Sequence, residues 1–176
     1  GRGGIAQLKT NNSGNLPAEF FLDCAGPEGS LLQRYLDSPF VSWTDRFICD
    51  RVLSGVTEVD NNFPPYTRCR AMSAGSATAV TLSEQTHHVM SYSSNHSSEN
   101  DAERTFIDEL RVRNSDSLLE KKFSAGCQSK FWQGNVLAIG SSACRVDAVD
   151  CSSVLFAHYG IEMFLRLMPD RNKDQL

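Results

Sequence analysis

The feature of this chain that most constrains its fold is residues 132–153, where an apolar run leads through small residues into a long amphipathic segment. Residues 135–139 (NVLAI) have the length and composition of a buried strand, and residues 140–143 (GSSA) follow as a tight turn. Apolar residues then recur at helical spacing until Pro169, which ends a helix because the residue before a proline avoids helical geometry. The pattern predicts a strand, a turn and a helix that place backbone N–H groups beside an anion or a planar ligand. A buried strand-to-helix crossing that prefers small residues for structural reasons alone explains the same pattern.

Two further stretches carry helix and strand signals. Residues 18–23 (AEFFLD) predict a second buried strand that enters a glycine-containing turn. Ser30 is the expected N-cap of a short helix with an apolar face of Leu31, Leu32, Tyr35 and Leu36. The final helix is expected to bury one stripe, with its histidine as a satisfied core residue. That stripe is Val154, His158, Ile161, Leu165 and Met168, widened by Leu155, Phe164 and Leu167.

The middle of the chain has the sequence pattern of short strands rather than of long helices. Between residues 47 and 92, short β-prone runs are separated by Asn, Pro, Gly and Ser, which is typical of an antiparallel sheet. Residues 97–99 (SSE) then open a predicted helix with an apolar side of Ala102, Phe106, Ile107 and Leu110. Residues 114–130 are polar and are predicted to be a loop, with at most one helical turn near Leu118.

The charge, the apolar runs and the cysteines of the chain limit the kinds of molecule that it is expected to bind. The net charge is −4 and basic residues never run beyond a pair, so a nucleic-acid partner is not expected. No apolar run approaches the ~20 residues that cross a bilayer, so no membrane partner is expected either. The six cysteines are spread without a C-x-x-C pair, which favours reduced thiols in a cytoplasmic protein over a disulfide framework. No metal site is predicted, because the adjacent His87 and His88 would point to opposite faces of a strand.

Four stretches, taken in order, resemble the tryptophan halogenase family of flavoenzymes. They are AEFFLDCAG (18–26); WTDRFICDRVL (43–53) with PPYTR (64–68); YSSNHSSENDAE (92–103) with FSAGCQSKFW (123–132); and WQGNVLAIGSSACRVDAVDCSS (132–153). The resemblance implies an α/β fold in three segments: residues 1–46 from an incomplete FAD-binding, flavin monooxygenase-like domain, residues 47–131 from a substrate-side antiparallel sheet with a helix, and residues 132–176 returning to the FAD-binding domain with a long C-terminal helix.

The resemblance also implies a set of site residues. Family members use FAD, reduced by a separate flavin reductase, to oxidise a halide ion that then halogenates an aromatic substrate such as tryptophan or another indole. The positions expected to bind FAD are Asp23, Gly26, Gly134, Asn135, Gly140 and Ala143. Ser152 and Ser153 match the halide-binding positions, and the substrate-side positions are Cys151, Gly75, Ser76 and Thr78. Asp150 matches the catalytic acid, where glutamate is more usual; a simple helix N-cap is the alternative role for this residue.

Three departures from the family pattern bear on activity. The Gly-x-Gly-x-x-Gly loop that holds the cofactor pyrophosphate is absent from these 176 residues, and so is a lysine in the active-site context. The family motif Gly-Trp-x-Trp-x-Ile-Pro is replaced by residues 75–81 (GSATAVT). We therefore expect a truncated chain that is inactive alone. Two alternatives stay open: a non-catalytic binding protein or decaying remnant on the halogenase scaffold, and an enzyme that hydroxylates its substrate.

Overall fold

A computed structural model of the chain describes residues 3–27, 31–59, 65–112, 118–146 and 152–168. The described strands are β1 (Gln7–Thr10), β2 (Gly14–Pro17), β3 (Phe21–Asp23), β4 (Phe40–Ser42), β5 (Arg51–Glu58), β6 (Arg68–Ala71), β7 (Gly75–Thr81), β8 (Gln85–Tyr92), β9 (Leu119–Lys122), β10 (Gly126–Gln128), β11 (Trp132–Gln133), β12 (Val136–Ala138) and β13 (Cys144–Arg145). The helices are α1 (Leu31–Tyr35), α2 (Glu99–Leu110) and α3 (Ser152–Leu167), with a 3-10 turn at Gly140–Ser142. The chain divides into two compact units, the first from Gly1–Val41, Gly126–Val146 and Ser152–Leu176, the second from Ser42–Ala125 and Asp147–Cys151.

The first unit is built on a parallel strand pair. Strand β12 lies between β11, which is antiparallel to it, and β3, which is parallel to it. This is the pair of buried strands that the sequence predicts. Its core consists of Phe21, Leu32, Val136, Ala138 and Ala143. A second small sheet has the order β13-β10-β4, and β1 and β2 form a hairpin.

Helix α3 packs through small residues and through Phe164, which lies at the edge of its predicted stripe. A Cβ built on Gly160 would lie 3.3 Å from Ile139 Cγ2, and one on Gly140 would lie 3.3 Å from Ala157 Cβ. Phe164 stacks on Phe20 with ring centroids 5.7 Å apart. Because the side chain of Ala157 is small and Gly160 has none, the helix face that carries them lies close to Ile139 and the 3-10 turn.

The other residues of the stripe that was predicted to be buried are exposed. Val154 and Leu165 are 61% and 70% exposed, and Ile161 and Met168 are exposed too. His158 is exposed, so its expected place as a core histidine is wrong. Helical spacing predicts which residues share an apolar face. It does not predict that the neighbouring face, with the smaller side chains, is the one that packs against the 3-10 turn.

The second unit contains the antiparallel sheet that the sequence predicts, in the order β6-β7-β8-β5-β9. Helix α2 covers one face, where Leu53, Met90 and Phe106 are fully buried. Ser98 caps α2, since its hydroxyl accepts a hydrogen bond from the backbone N–H of Asp101 at 3.2 Å. Ala102 and Phe106, on its predicted apolar side, are buried.

The prediction of a loop over residues 114–130 is wrong for its described part. Residues Leu119–Lys122 form β9, which pairs with β5 at the sheet edge, and residues Gly126–Gln128 form β10. Every residue of β9 is exposed, so the strand has no alternating apolar pattern and is held through its backbone pairing. None of the described helices has the length and apolar character needed to span a membrane.

Candidate functional site

The candidate site in the first unit lies at the carboxyl edge of the β3–β12 pair. The parallel register places Phe21 opposite Val136 and Asp23 opposite Ala138. Beyond it, the backbone N–H of Ile139 donates to the carbonyl of Asp23 at 3.0 Å. Both strands thus end at one edge, where α/β folds usually bind ligands.

Asp23 shapes the turn that leaves β3. Its side chain is buried, with 2% exposure, and one carboxylate oxygen accepts from the backbone N–H of Ala25 at 3.1 Å. The other oxygen accepts from the backbone N–H of Leu31 at the start of α1. The carboxylate therefore ties the turn at Ala25 to the start of α1.

Gly26 and Ser142 connect the two turns. The Ser142 hydroxyl lies 2.8 Å from the Gly26 backbone nitrogen and 3.3 Å from its carbonyl oxygen. Gly26 and Gly140 have φ of 79° and 63°, in the left-handed region that glycine adopts without strain. A Cβ on Gly26 would meet no atom of the described residues within 4 Å. Ala143 is buried, and its N–H donates to the Gly140 carbonyl at 3.0 Å.

Gly134 and Asn135, at the opposite end of β12, have structural contacts that account for both residues. The Asn135 side-chain amide accepts from Ile5 N–H at 2.9 Å and donates to the carbonyls of Ile5 and Glu19 at 2.8 and 3.1 Å. Gly134 has φ of 60°, and a Cβ there would lie 2.1 Å from the Gly3 carbonyl oxygen. These residues hold the N-terminal segment against β12, and a contact with FAD stays a prediction for both.

The predicted halide-binding positions begin helix α3. Ser152 and Ser153 are its first two residues, the former partly buried and the latter exposed. Asp150 and Cys151 lie outside the described residues, as does Ser30. The choice between a catalytic Asp150 and a helix-capping Asp150 therefore stays open.

The predicted substrate-side residues of the second unit lie on β7. Gly75 is opposite Tyr92 of β8, and a Cβ at Gly75 would come within 2.1 Å of the Ser91 carbonyl oxygen, so only glycine fits there. Ser76 and Thr78 alternate with Ala77, which is buried against α2, and they therefore occupy the opposite face of the sheet. Contacts with a substrate stay predicted for all three.

A polar cluster in the second unit was not found from the sequence. The Tyr92 hydroxyl donates to Glu120 Oε1 at 2.5 Å, and the Arg51 guanidinium lies 3.8 Å from the same carboxylate and 2.5 Å from that of Asp50. Burial, followed by the Glu120 carboxylate, raises the pKa of the Tyr92 phenol well above its usual range. Glu120 belongs to the unpredicted strand β9, so no sequence signal joined these residues. No group of three His, Cys, Asp or Glu suited to a metal ion occurs among the described residues.

Solved structures of halogenases share this fold. The structure of the tryptophan 6-halogenase SttH from Streptomyces toxytricini matches with a TM-score of 0.87 at 28% identity, over 98% of this chain and 34% of its own. BrvH, a flavin-dependent halogenase from Brevundimonas sp. BAL3, matches with a TM-score of 0.85 at 25% identity, over 97% and 35%. In sequence, SttH is 28% identical over 96% of this chain and 33% of its own length, and the tryptophan 7-halogenase RebH from Lentzea aerocolonigenes is 24% identical over 97% and 33%.

The sequence profile of the family described as tryptophan halogenase matches residues 1–176. The chain therefore belongs to the tryptophan halogenase family. The resemblance drawn from the four stretches is confirmed, as is the α/β fold with an antiparallel sheet and a C-terminal helix. The family implies FAD, a halide ion and an aromatic substrate. The chain spans about a third of the length of the curated relatives it matches.

Proposed function

We propose that this chain forms part of a flavin-dependent halogenase that acts on an aromatic substrate such as tryptophan or another indole. The junction between Gly26 and Ser142, at the carboxyl edge of a parallel strand pair, carries the proposal. Its support from outside the structure is membership of the family along the whole chain. The supply of reduced FAD would come from a separate flavin reductase, and the cytoplasm is the compartment we propose for both.

FAD fits the turns that follow β3 and β12. Gly26 has no side chain to obstruct a planar ring, and no described residue lies within 4 Å of a Cβ built there. We assign Gly26, Gly140 and Ala143 to the edge of the FAD site and Asp23 to the support of its turn. When bound and reduced, FAD supplies the electrons that activate oxygen for oxidation of the halide.

A halide site at Ser152 and Ser153 is supported by their position at the start of the 16-residue helix α3. The backbone N–H groups of a first helical turn have no acceptor within the helix, and the helix N-terminus favours an anion. We propose Asp150, two residues earlier in the chain, as the carboxylate that orients the halogenating agent. Its side chain is one carbon shorter than glutamate, so turnover should be slower than with glutamate there.

The experiment is a halogenation assay on the natural polypeptide that contains these residues, with a flavin reductase, oxygen, and chloride or bromide. Mass spectrometry of a panel of indoles should show a halogen in place of a hydrogen. Asp150→Ala should abolish this product, whereas Asp147→Ala, the control, should retain it. Normal turnover by Asp150→Ala would remove that residue from the mechanism, and the absence of any halogenated indole would contradict the proposed function.

For the 176-residue chain by itself we propose that no turnover occurs. It does not contain the glycine loop that binds the FAD pyrophosphate in the family, so its affinity for FAD should be weaker than micromolar. Absorbance titration with FAD measures this directly. Micromolar binding by the isolated chain would refute the claim.

Hydroxylation is the second candidate, and the composition of β7 favours it. Ser76 and Thr78 stand within the stretch that replaces the two tryptophans of the family motif, so large rings that would separate substrate from flavin are missing. In the assay above, a product that gains oxygen with or without halide identifies this reaction. No product of either kind, without FAD binding, identifies a non-catalytic protein.

A further inference from the structure

Two cysteines face each other across the small sheet of the first unit. Cys127 of β10 and Cys144 of β13 are direct antiparallel partners, so both side chains lie on the same face. The next pair along the ladder is joined by a hydrogen bond from Gln128 N–H to the Ala143 carbonyl at 2.8 Å. Because hydrogen-bonded and non-hydrogen-bonded pairs alternate, Cys127 and Cys144 form a non-hydrogen-bonded pair.

This type of pair has the spacing that a disulfide needs. Partners in a non-hydrogen-bonded pair have Cα atoms roughly 4.5 Å apart, and disulfides span Cα separations of about 4.4 to 6.8 Å. The separation is near the lower limit, so the bond would be strained and readily reduced. Both residues are partly buried, within reach of a small oxidant.

We propose that Cys127 and Cys144 are a redox modification site, a dithiol that closes to a reversible disulfide on reaction with hydrogen peroxide. One sulfur attacks the peroxide, so that an S–O bond forms, the O–O bond breaks and water leaves. The second sulfur then displaces the oxygen as a second water and the S–S bond forms. Two thiols are oxidised by the loss of two hydrogen atoms, and one peroxide is reduced to two waters. This site does not depend on halogenase activity.

Burial lowers the fraction of reactive thiolate in both cysteines, so their oxidation should need an excess of peroxide. Burial raises the pKa of the Cys127 thiol. Burial and then Cys127 raise the pKa of the Cys144 thiol, against a smaller opposite effect of Arg145. Once formed, the bond would enclose residues 128–143, which contain β12 and the turn that carries Ser142.

Trypsin digestion separates the two cysteines, which makes the bond directly observable. Cleavage after Lys122, Lys130 and Arg145 yields the peptides 123–130 (FSAGCQSK) and 131–145 (FWQGNVLAIGSSACR), each with one cysteine. After treatment of the folded chain with hydrogen peroxide and alkylation of free thiols, a non-reducing digest should contain these two peptides joined, with two hydrogens lost. Dithiothreitol should separate them.

Variants test the pairing itself. In a chain where Cys24, Cys49, Cys69 and Cys151 are replaced by serine, the joined peptide should persist. Cys127→Ser in that background should instead leave Cys144 oxidised singly or alkylated. The proposal is overturned if the wild-type chain yields both peptides alkylated separately under conditions that oxidise the exposed Cys69, or if either cysteine pairs to a comparable extent with another cysteine.

Discussion

A single hydroxyl, that of Ser142, bridges to the backbone N–H of Gly26 at 2.8 Å across 116 positions of sequence. It also lies 3.3 Å from the Gly26 carbonyl oxygen. The two residues follow the two strands of the only parallel pair among the described residues. The turns at the proposed FAD edge are therefore fixed to each other before any ligand binds, which lowers the ordering cost of binding.

Ser142→Ala should weaken this junction. The substitution removes the hydroxyl partner of the partly buried Gly26 backbone groups, which should cost about 1 kcal/mol in the free energy of unfolding. Ser141→Ala, on the same 3-10 turn, should change that free energy by less than about 0.5 kcal/mol. Urea denaturation of both variants measures the difference, and equal effects would contradict the bridging role.

Alanine substitutions at Gly26 and Gly140 distinguish the stability cost of backbone strain from that of side-chain overlap. Both have positive φ, so alanine at either position should cost about 1–2 kcal/mol of stability from the backbone alone. Gly140→Ala should cost more than Gly26→Ala, because its Cβ would press on Ala157 whereas that of Gly26 meets no atom of the described residues within 4 Å. Thermal unfolding of the two variants tests the order, and a larger loss for Gly26→Ala would be inconsistent with the geometry.

Asn135→Asp should release the N-terminal segment. The aspartate cannot donate to the carbonyls of Ile5 and Glu19 and would repel them. We expect faster tryptic cleavage after Lys9 and a loss of about 2 kcal/mol in the free energy of unfolding. Asn95→Asp, at an exposed position far along the chain from Lys9, is the control and should cleave at the wild-type rate. Unchanged protection in Asn135→Asp would exclude the proposed anchoring.

Stability should depend on pH through His88. Burial, followed by the charges of Arg68 and His87, lowers the pKa of this histidine below its ordinary value of 6.5, and its Nδ1 has no hydrogen-bond partner within the described part of the chain. The unfolded chain therefore binds the proton more readily than the folded chain. The contribution of neutral His88 to the free energy of unfolding is fully present above pH 6.5. It is lost as the pH falls from 6.5 through the lowered pKa of His88 in the folded chain.

His88→Gln should flatten this dependence. The measurement is urea denaturation between about pH 8 and pH 5, the range over which histidine changes charge. His96→Gln, at an exposed position, should retain the wild-type slope. A slope in His88→Gln equal to that of the wild type would show that another group is responsible.

Much of the architecture follows from local patterns. Residues 135–139 and 18–23 are apolar enough to be recognised as buried strands, and they contain β12 and β3. Ser98 with acids after it identifies the start of α2, because capping is a local interaction. The family is recognisable from motifs that lie within short stretches of sequence.

What the sequence alone could not determine depends on contacts between distant residues. Nothing local indicates that Ser142 meets Gly26, that Asn135 holds Ile5, or that Cys127 lies opposite Cys144. Strand β9 has no apolar alternation, and its pairing with β5 comes from backbone hydrogen bonds that any sequence can make. The chain itself determined which segments are strands and helices, through apolar spacing and capping. Tertiary structure decided which faces pack and which side chains meet, because close approach depends on the shapes of both surfaces at once.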